Sequence, residues 1–394
     1  MPEAETIICA LLRGERPTWP ADGNDAFTSL FLERSAYHGV QALLHQHLTN
    51  GTFRELGWPP SILDACREAA VGQAMWEMRH KEILGSLLDR LAEIGVRPIL
   101  FKGTALAYSA YPAPFMRRRG DTDALIPLHA KEQSCEALES LGFRRTACAR
   151  GDLVSNAIEY AIEDAGLGAH EIDLHWRISN AQVLSRLFSY DELVRAASPL
   201  PALSPHAIGP GDMHALAIAC MHRAEHKECP YFVDGVEYYD GDRLIWFYDM
   251  SLICKNWESA DYDAFFDLVE EKRLLNNCLE ALEKARAYFG SGPSRAIVER
   301  RRKTGANDVI STYLAASPLD QYSANFAAIP GAGDKLRFLI QILFPPVEYM
   351  REMYAHVEPN WLAWLYVHRI VNTVAKRLKR TFPALFQFGD ADRS

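Results

Sequence analysis

The first 95 residues carry apolar side chains at helical spacing. Residues 25–47 repeat them at positions i, i+3 and i+4, the pattern of an amphipathic helix. Ser61 and Asp64 resemble a capping box, which predicts a second, long helix that ends near Gly95. The prolines within residues 58–60 separate the two helical parts. On the long helix, the spacing favours core positions over a ligand site for three large residues, Met75, Trp76 and Met78.

A different pattern, of short apolar runs between helical segments, extends from residue 96 to about residue 200. The run at 99–101 has the composition of a buried strand and ends at a Lys-Gly turn. Alternating apolar and polar positions predict a hairpin of residues 155–163 and 169–177, which turns at two glycines. The other elements predicted here are a strand that starts at Asp121 and stops at Pro127, a helix at 127–141 that Gly142 closes, and a strand at 143–148. This order predicts a small mixed sheet.

Residues 198–205 are rich in Pro, Ser and Leu, which predicts a linker and a domain boundary near residue 200. After this linker the pattern is helical. The predicted helices cover residues 212–226, 243–255, 262–288 with one break, 335–344 and 361–380. The chain is therefore divided into an N-terminal helical region (1–95), a core (96–200) and a C-terminal helical domain (201–394).

Candidate chemistry is concentrated in the core. Asp121 and Asp123 are two positions apart, so a strand would point both carboxylates to the same face. In residues 171–176, alternation places Glu171, Asp173 and His175 on one face and apolar side chains on the other. An isolated acidic pair is most often solvated charge, but Asp173 would complete a set of three carboxylates. Three such oxygen donors suit magnesium.

A glycine turn precedes the acidic pair. In the sequence Lys102-Gly103-Thr104, the glycine lets backbone amides approach an anion closely, and Thr104 is placed to cap a helix. The basic run 117–119 comes just before the acidic pair, and we expect Arg118 and Arg119 to be solvated or salt-bridged. Together these features indicate a site for an anionic ligand and a cation.

These residues resemble an uncharacterised nucleotidyltransferase family of the DNA polymerase β-like superfamily. The specific similarity covers about residues 96–177, and a Gly-Thr pair stands where the superfamily usually has Gly-Ser or Gly-Gly. It rests on the Lys102-Gly103 turn, Arg117 four residues before the acidic pair, Asp121 and Asp123, and the Asp-Leu-His-Trp strand at 173–176. A looser similarity continues in His222, His226, Trp246, Asp249 and the segment 344–354.

The resemblance implies an α+β fold, with a small mixed-sheet nucleotidyltransferase core between two helical regions. It implies transfer of a nucleoside monophosphate from a nucleoside triphosphate, with ATP expected, to a hydroxyl acceptor with release of pyrophosphate. Two Mg²⁺ ions, with Mn²⁺ as an alternative, would be held by Asp121, Asp123 and Asp173, which are also the catalytic residues. The nucleotide phosphates would be bound by Lys102, Gly103, Thr104 and Arg117.

The acceptor site is expected between the core and the C-terminal domain. The residues expected to line it are His175, His222, His226, Arg243 and Asp249. His222 and His226 are four apart on one helical face and could bind a transition metal with Asp249, although lining a pocket is the favoured interpretation. A small hydroxylated molecule, a peptide side chain and a protein hydroxyl all remain open as acceptors.

Several other classes of site lack their motifs. The eight cysteines include no C-x-x-C pair, so we expect reduced core thiols, and no P-loop or dinucleotide-binding glycine motif occurs. His170, Glu171 and His175 lack the spacing of a zinc-protease helix. An acidic N-terminus and the absence of a long apolar run predict a cytoplasmic protein without a transmembrane segment. The basic end of the last helix is expected to complement the helix dipole, and membrane-surface contact is the less favoured alternative.

Two rival functions share the same carboxylates. One is a relative that binds nucleotide but has lost turnover, which three intact carboxylates disfavour. The other is a metal-dependent phosphoesterase that uses water as the acceptor. Nucleotide binding measured with and without magnesium, followed by an assay for pyrophosphate, distinguishes these functions from the transferase.

The formal net charge of −9 predicts that the protein does not bind duplex DNA. Sequence-independent binding needs clustered Lys and Arg to neutralise phosphates, and the clusters singled out in this acidic chain are those at 117–119 and in the last predicted helix. In a fluorescence-anisotropy titration at roughly 150 mM salt we expect no sub-micromolar affinity. Tight binding that weakens steeply with added salt would contradict the prediction.

Overall fold

The computed structural model describes residues 3–49, 53–146, 151–227, 229, 231–233, 236–238, 241–302 and 308–381. Side chains are described for these residues except 231–233, 236 and 373–381. The N-terminal region is helical, as expected. Its helices are α1 (Glu3–Leu12), α2 (Asp25–Tyr37), α3 (Gln41–Leu48) and α4 (Pro60–Glu93).

The long helix α4 does not start with the predicted capping box. Its N-cap is Pro59, without a side-chain cap, and Pro60 is the first helical residue. Proline suits this position because its fixed φ matches the helix and its missing N–H would have had no intrahelical acceptor. The predicted end is confirmed, since Gly95 follows the helix with a φ of 75°.

The core prediction for Met75 and Met78 is wrong, because these side chains are 54 % and 71 % exposed. Trp76 stacks on the ring of His80, with centroids 4.3 Å apart. The buried stripe of α4 passes through Glu77 and His80 instead. The buried face of α4 therefore includes polar side chains, which the spacing of the apolar residues did not predict.

Within the described residues, seven strands form one mixed sheet in the order β3-β4-β5-β2-β1-β7-β6. β2 and β5 pair in parallel, as do β1 and β7, and the other neighbours are antiparallel. The strands are β1 (Ile99–Phe101), β2 (Asp121–Leu125), β3 (Arg144–Arg145), β4 (Ala157–Asp164), β5 (Gly168–His175), β6 (Ala197–Pro199) and β7 (Ile208–Pro210). The predicted mixed sheet and the β4–β5 hairpin are confirmed.

The predicted linker at 198–205 connects two strands of this sheet. β6 and β7 pair with each other, and Ile208 of β7 lies opposite Ile99 of β1. Leu200 and Leu203 are buried in the core beneath. The sheet therefore includes strands on both sides of the boundary predicted at residue 200. The local composition there is typical of a loop, but β6 and β7 are held in the sheet by pairing. The strand predicted at 143–148 is limited to β3, and residues 147–150 lie outside the described part.

Short helices connect the strands, namely α5 (Lys102–Ser109), α6 (Lys131–Ser140), α7 (Gln182–Ser185) and α8 (Tyr190–Arg195). One face of the sheet packs on α4 and α6 through side chains such as Leu84, Leu100 and Leu174. The other face carries Phe101 and Leu125, which join a larger core with the helices that follow residue 211. The sheet is thus covered on both sides, and the two N-terminal regions predicted from the sequence pack together.

The remainder of the chain is mainly helical, as expected, with one hairpin that the sequence did not predict. The hairpin strands are β8 (Tyr231–Val233) and β9 (Val236–Tyr238). The helices are α9 (Asp212–His226), α10 (Leu244–Ile253), α11 (Ser259–Glu271), α12 (Leu275–Phe289), α13 (Arg295–Arg302), α14 (Val309–Ala315), α15 (Pro318–Ala328), α16 (Ala332–Leu343), α17 (Val347–Met353) and α18 (Leu362–Thr381). These elements form an α+β fold, as the sequence implied.

Two expectations concern the surface and the thiols. Across the described residues, every helix falls short of the length or the hydropathy needed to span a bilayer. The basic side chains beyond residue 372 of α18 lie outside the described residues, so their contact with the helix dipole or a membrane stays a prediction. Six of the cysteines are buried, whereas Cys229 is exposed and Cys148 is outside the described part.

Leu84 and Met78 lie on the same helix, and their side chains are 0 % and 71 % exposed. Leu84→Ala leaves a cavity beneath the sheet, so we expect the free energy of unfolding to fall by about 2–5 kcal/mol. Met78→Ala is the matched control and should change stability by less than about 0.5 kcal/mol. Urea denaturation followed by circular dichroism measures both variants. Equal losses would show that α4 packs through a different face.

Candidate active site

The acidic residues meet because β2 and β5 pair in parallel and in register. Asp121 lies opposite Glu171, and Asp123 lies opposite Asp173. Since side chains alternate along a strand, all four carboxylates share one face of the sheet. The alternation predicted for 171–176 is observed, because Ile172 and Leu174 point to the opposite, buried side.

A cavity of about 340 Å³ lies over this acidic face. Carboxylates form one part of its wall and cationic side chains form another, so the cavity is electrically polarised. The acidic part consists of Asp121, Asp123, Glu171 and Asp173, and the basic part of Lys102, Arg117, Arg118, Arg119 and Arg243. Gly103, Gly120, His222, His226, Cys229 and Trp246 complete the wall.

Asp123 has the most strongly compensated carboxylate of the group. It is 4 % exposed, and its Oδ1 accepts from Lys102 Nζ at 2.6 Å. The same oxygen lies 2.9 Å from His175 Nε2. Burial alone would raise the pKa of Asp123, but Lys102 and His175 outweigh it and hold this pKa well below its usual range. Asp123 is therefore held as a carboxylate.

Asp173 and Asp121 have the opposite balance. Burial, followed by the charges of Asp123 and Asp121, raises the pKa of Asp173 to about 8. Burial and Asp123 likewise raise the pKa of Asp121. With every carboxylate ionised, the cluster would carry more negative charge than the nearby cations neutralise, and a bound divalent cation would relieve this condition.

The donors also fit a cation geometrically. Asp123, Asp173 and His175 each offer one ligand atom, and these atoms lie within 4.8 Å of one another. Asp121 lines the same cavity but is not part of this close group. The structure thus brings together two of the three predicted metal ligands and adds His175, which the sequence had assigned to the acceptor pocket. The reason is the register, because Asp121 lies beside Glu171 and not beside Asp173.

The glycine turn is built differently from the prediction. Helix α5 begins at Lys102, which has a φ of 52°, and its N-cap is Phe101 without a side-chain cap. Thr104 is therefore two residues inside the helix and does not cap it. Its buried hydroxyl contacts the Thr122 hydroxyl at 2.9 Å and accepts from Arg119 Nε at 3.0 Å. Lys102 and Gly103 line the cavity, whereas the Thr104 side chain supports the strand from behind.

Arg117 lines the cavity and is fixed by a buried carboxylate. Its Nε and Nη2 donate to Asp249 at 2.9 and 2.8 Å, and the Tyr111 hydroxyl donates to the same carboxylate at 2.6 Å. Asp249 is 2 % exposed and does not line the cavity. Asp249, expected to line the acceptor pocket or to bind a metal with His222 and His226, is thus placed behind Arg117 and outside the lining of this cavity. Its carboxylate is committed to orienting Arg117.

Residues of α4 that support the site were not predicted from the sequence. They contact β2 and its flanking residues on the side away from the acidic pair. Glu77 accepts from Arg119 Nη2 at 2.8 Å, which confirms the expected salt bridge of Arg119. His80 Nε2 lies 2.7 Å from the hydroxyl of Thr122, the residue between the two aspartates of β2. The available signal was the presence of polar residues three apart within the buried stripe of α4. These contacts anchor the strand that carries the acidic pair.

The remaining predicted residues come from α9 and the start of α10. The ring centroids of His222 and His226 are 4.4 Å apart. Burial is the main cause that keeps the pKa of His222 well below its ordinary value, and the charge of His226 is the second cause. Arg243 donates from Nε to the backbone oxygen of Tyr37 at 2.7 Å. Its guanidinium lies 5.9 Å from the ring of Trp246. These residues, together with Cys229, form the wall opposite the sheet.

A comparison with known protein families bears on this geometry. The sequence model of the family described as uncharacterised nucleotidyltransferase matches residues 25–290. The chain belongs to this family. Among curated proteins, no match was found.

Membership in the nucleotidyltransferase family supports transfer of a nucleoside monophosphate and a nucleoside triphosphate substrate. All residues that line the cavity lie between 102 and 246, so the family match includes the whole site. Helices α13 to α18 begin after residue 290 and lie outside the match. The family match therefore covers the sheet and the helices α2 to α12.

The buried Arg117–Asp249 pair gives a direct test of the site's construction. Asp249→Ala leaves a buried guanidinium without its carboxylate, so we expect a loss of about 3–5 kcal/mol in the free energy of unfolding. Combining Arg117→Met with Asp249→Leu removes both charges and should recover most of this loss. Urea denaturation measures all variants.

The control for this pair is Glu93→Ala. It breaks the Arg90–Glu93 contact, whose side chains are 43 % and 66 % exposed, and should cost less than about 1 kcal/mol. If the single Asp249 variant and the double variant lose the same stability, the uncompensated charge is not the cause.

Proposed function

We propose that the protein transfers a nucleoside monophosphate from a nucleoside triphosphate, with ATP as the expected nucleotide, to an acceptor hydroxyl, with release of pyrophosphate. The observation that carries this proposal is the in-register placement of Asp123 opposite Asp173 in a cavity whose other wall is cationic. A polyphosphate brings negative charge to the basic wall, and the carboxylates require a cation between them and the phosphates. A metal-bound triphosphate satisfies both requirements.

Asp123 and Asp173, with Asp121 beside them, would hold Mg²⁺. Their fit is supported by the close grouping of ligand atoms and by the raised pKa values of Asp173 and Asp121. A divalent cation bound there would neutralise the charge of the phosphates and make the acceptor hydroxyl more acidic. The carboxylates would fix its position, so that most of the catalysis comes from orientation and charge.

The phosphates would bind along the basic wall. The first backbone N–H groups of α5 have no partner within the helix, and the start of the helix at Lys102 lies at the cavity. Lys102 Nζ donates to the Asp123 carboxylate, and from this position it would also contact a phosphate bound in the cavity. Arg117 would present a fixed positive charge, because Asp249 prevents its guanidinium from changing orientation.

Asp173 would accept the proton of the acceptor hydroxyl. It lines the cavity and is half-buried, so an acceptor approaching from the open side can reach it. The acceptor would lie against His222, His226 and Arg243 on the opposite wall. A small hydroxylated molecule and a peptide or protein hydroxyl remain the candidate acceptor classes.

Asp173→Ala tests this assignment against Glu171→Ala, a control from the same strand and the same face. The phosphates of the nucleotide and the remaining carboxylates, Asp123 and Asp121, would keep the metal bound when Asp173 is lost, so magnesium-ATP affinity in Asp173→Ala should stay within a few-fold by calorimetry. Pyrophosphate release, with water or glycerol as the acceptor hydroxyl, should fall by at least about 100-fold. Glu171→Ala should have a much smaller effect.

The outcomes separate the rival functions. Binding of ATP that does not depend on magnesium would contradict the metal site, and magnesium-dependent binding without pyrophosphate would indicate an inactive relative. Release of orthophosphate instead of pyrophosphate would indicate a phosphoesterase. If Glu171→Ala abolishes turnover while Asp173→Ala retains it, the assignment of the catalytic carboxylate is wrong.

A further inference from the structure

His175 differs from His222 and His226, the two histidines that line the cavity, because its ring contacts the acidic cluster itself. We propose that His175 is a direct ligand of the catalytic metal, and that this nitrogen donor makes the site favour Mn²⁺ over Mg²⁺. The inference rests on the proposed metal-dependent function and specifies the donor set of that same site. It changes the expected ligands from three carboxylates to carboxylates plus an imidazole.

The distances fit direct ligation. Nε2 of His175 lies 2.9 Å from Oδ1 of Asp123. Two neighbouring ligands of an octahedral ion, each at about 2.1 Å from the metal, are about 3.0 Å apart. The two atoms therefore already have the separation of adjacent ligands, and the Asp173 carboxylate lies within 4.8 Å of both. A cation can be shared by the three side chains without a change of strand register.

The ring is held in this position. His175 is 7 % exposed, and its ring packs edge-on against Phe101 with centroids 5.1 Å apart. Its backbone is fixed in β5 by pairing with β2 and β4. Among the described residues, Nδ1 has no hydrogen-bond partner, so the polar contact of the ring is made by Nε2 with Asp123. Ordering the ring for a metal thus costs little conformational entropy.

The donor chemistry favours manganese. Mg²⁺ prefers oxygen ligands, whereas imidazole suits softer divalent metals, and Mn²⁺ accepts both carboxylates and imidazole. Lys102 Nζ also occupies Oδ1 of Asp123, at 2.6 Å, so any cation must compete with an ammonium group. This competition affects both metals, and the additional nitrogen bond compensates for it better with Mn²⁺. Selectivity is therefore expected from His175 and not from the carboxylates.

A second role would also explain the contact, in which His175 donates a hydrogen bond that orients Asp123 and does not bind the metal. The experiment must therefore detect the metal–nitrogen bond itself. Mn²⁺ is added to the full-length protein, and pulsed electron paramagnetic resonance records the ¹⁴N modulation that a directly bound imidazole produces. The expected result is a ¹⁴N signal in the unaltered protein and its loss in His175→Gln, which retains an N–H donor toward Asp123.

Affinity supplies the second measurement. Calorimetric titration with Mn²⁺ or Mg²⁺ alone should show that His175→Gln weakens Mn²⁺ binding by about 10-fold or more. The same change should alter Mg²⁺ binding by less than about 3-fold, since Mg²⁺ gains little from the imidazole. His226→Gln is the matched control, because His226 lines the same cavity but is outside the close group of ligand atoms. It should retain both the signal and the affinities.

The failures are distinguishable. Mn²⁺ that binds without ¹⁴N modulation, or equal weakening of both metals in His175→Gln, would overturn the proposal and leave the metal-dependent function intact. Loss of the signal in His226→Gln but not in His175→Gln would assign the nitrogen to the other wall. Absence of binding by either metal would contradict the proposed function itself. Circular dichroism of each variant verifies that it is folded.

Discussion

The parallel pairing of β2 with β5 concentrates negative charge on one face of the sheet. It places Asp123 against Asp173 and Asp121 against Glu171, at the edge of a cavity and partly away from water. Carboxylates in such surroundings raise one another's pKa unless a cation compensates them. Lys102 and His175 compensate Asp123, whereas Asp173 and Asp121 remain under-compensated. The rest of the fold holds these carboxylates close together, and the under-compensated pair is suited to bind a further cation.

The register of β2 must be secured from the opposite face, because a shift by one residue would turn both aspartates into the core. Thr122 lies between them and contacts His80 of α4 and Thr104 of α5. Arg119 links Thr104 to Glu77 of α4. A buried polar network of this kind is stabilising only when its members are paired, and it is specific to one arrangement of the elements. The N-terminal helices therefore belong to the construction of the site.

The basic wall of the cavity is organised by the helices after the sheet. Asp249 of α10 orients Arg117, and the start of α10 brings Arg243 and Trp246 to the cavity. Positive charge is thus local, in a chain whose formal net charge is −9. This distribution suits a small polyanion that enters with its cation, and it differs from the extended basic surfaces of proteins that bind duplex nucleic acid. The family match covers this wall as well as the carboxylates.

The sequence by itself determined the features that depend on local period. The alternation in residues 171–176, the hairpin at two glycines, the acidic pair at the start of β2 and the end of α4 near Gly95 were all predicted from residues close together in the chain. Only the tertiary structure decided which carboxylates meet, that Thr104 lies behind the strand, and that β7 joins the sheet. It also decided that Asp249, 132 residues from Arg117, holds that guanidinium. Local pattern sets which face a side chain occupies, whereas its partner depends on how distant segments pack, and no local period encodes that.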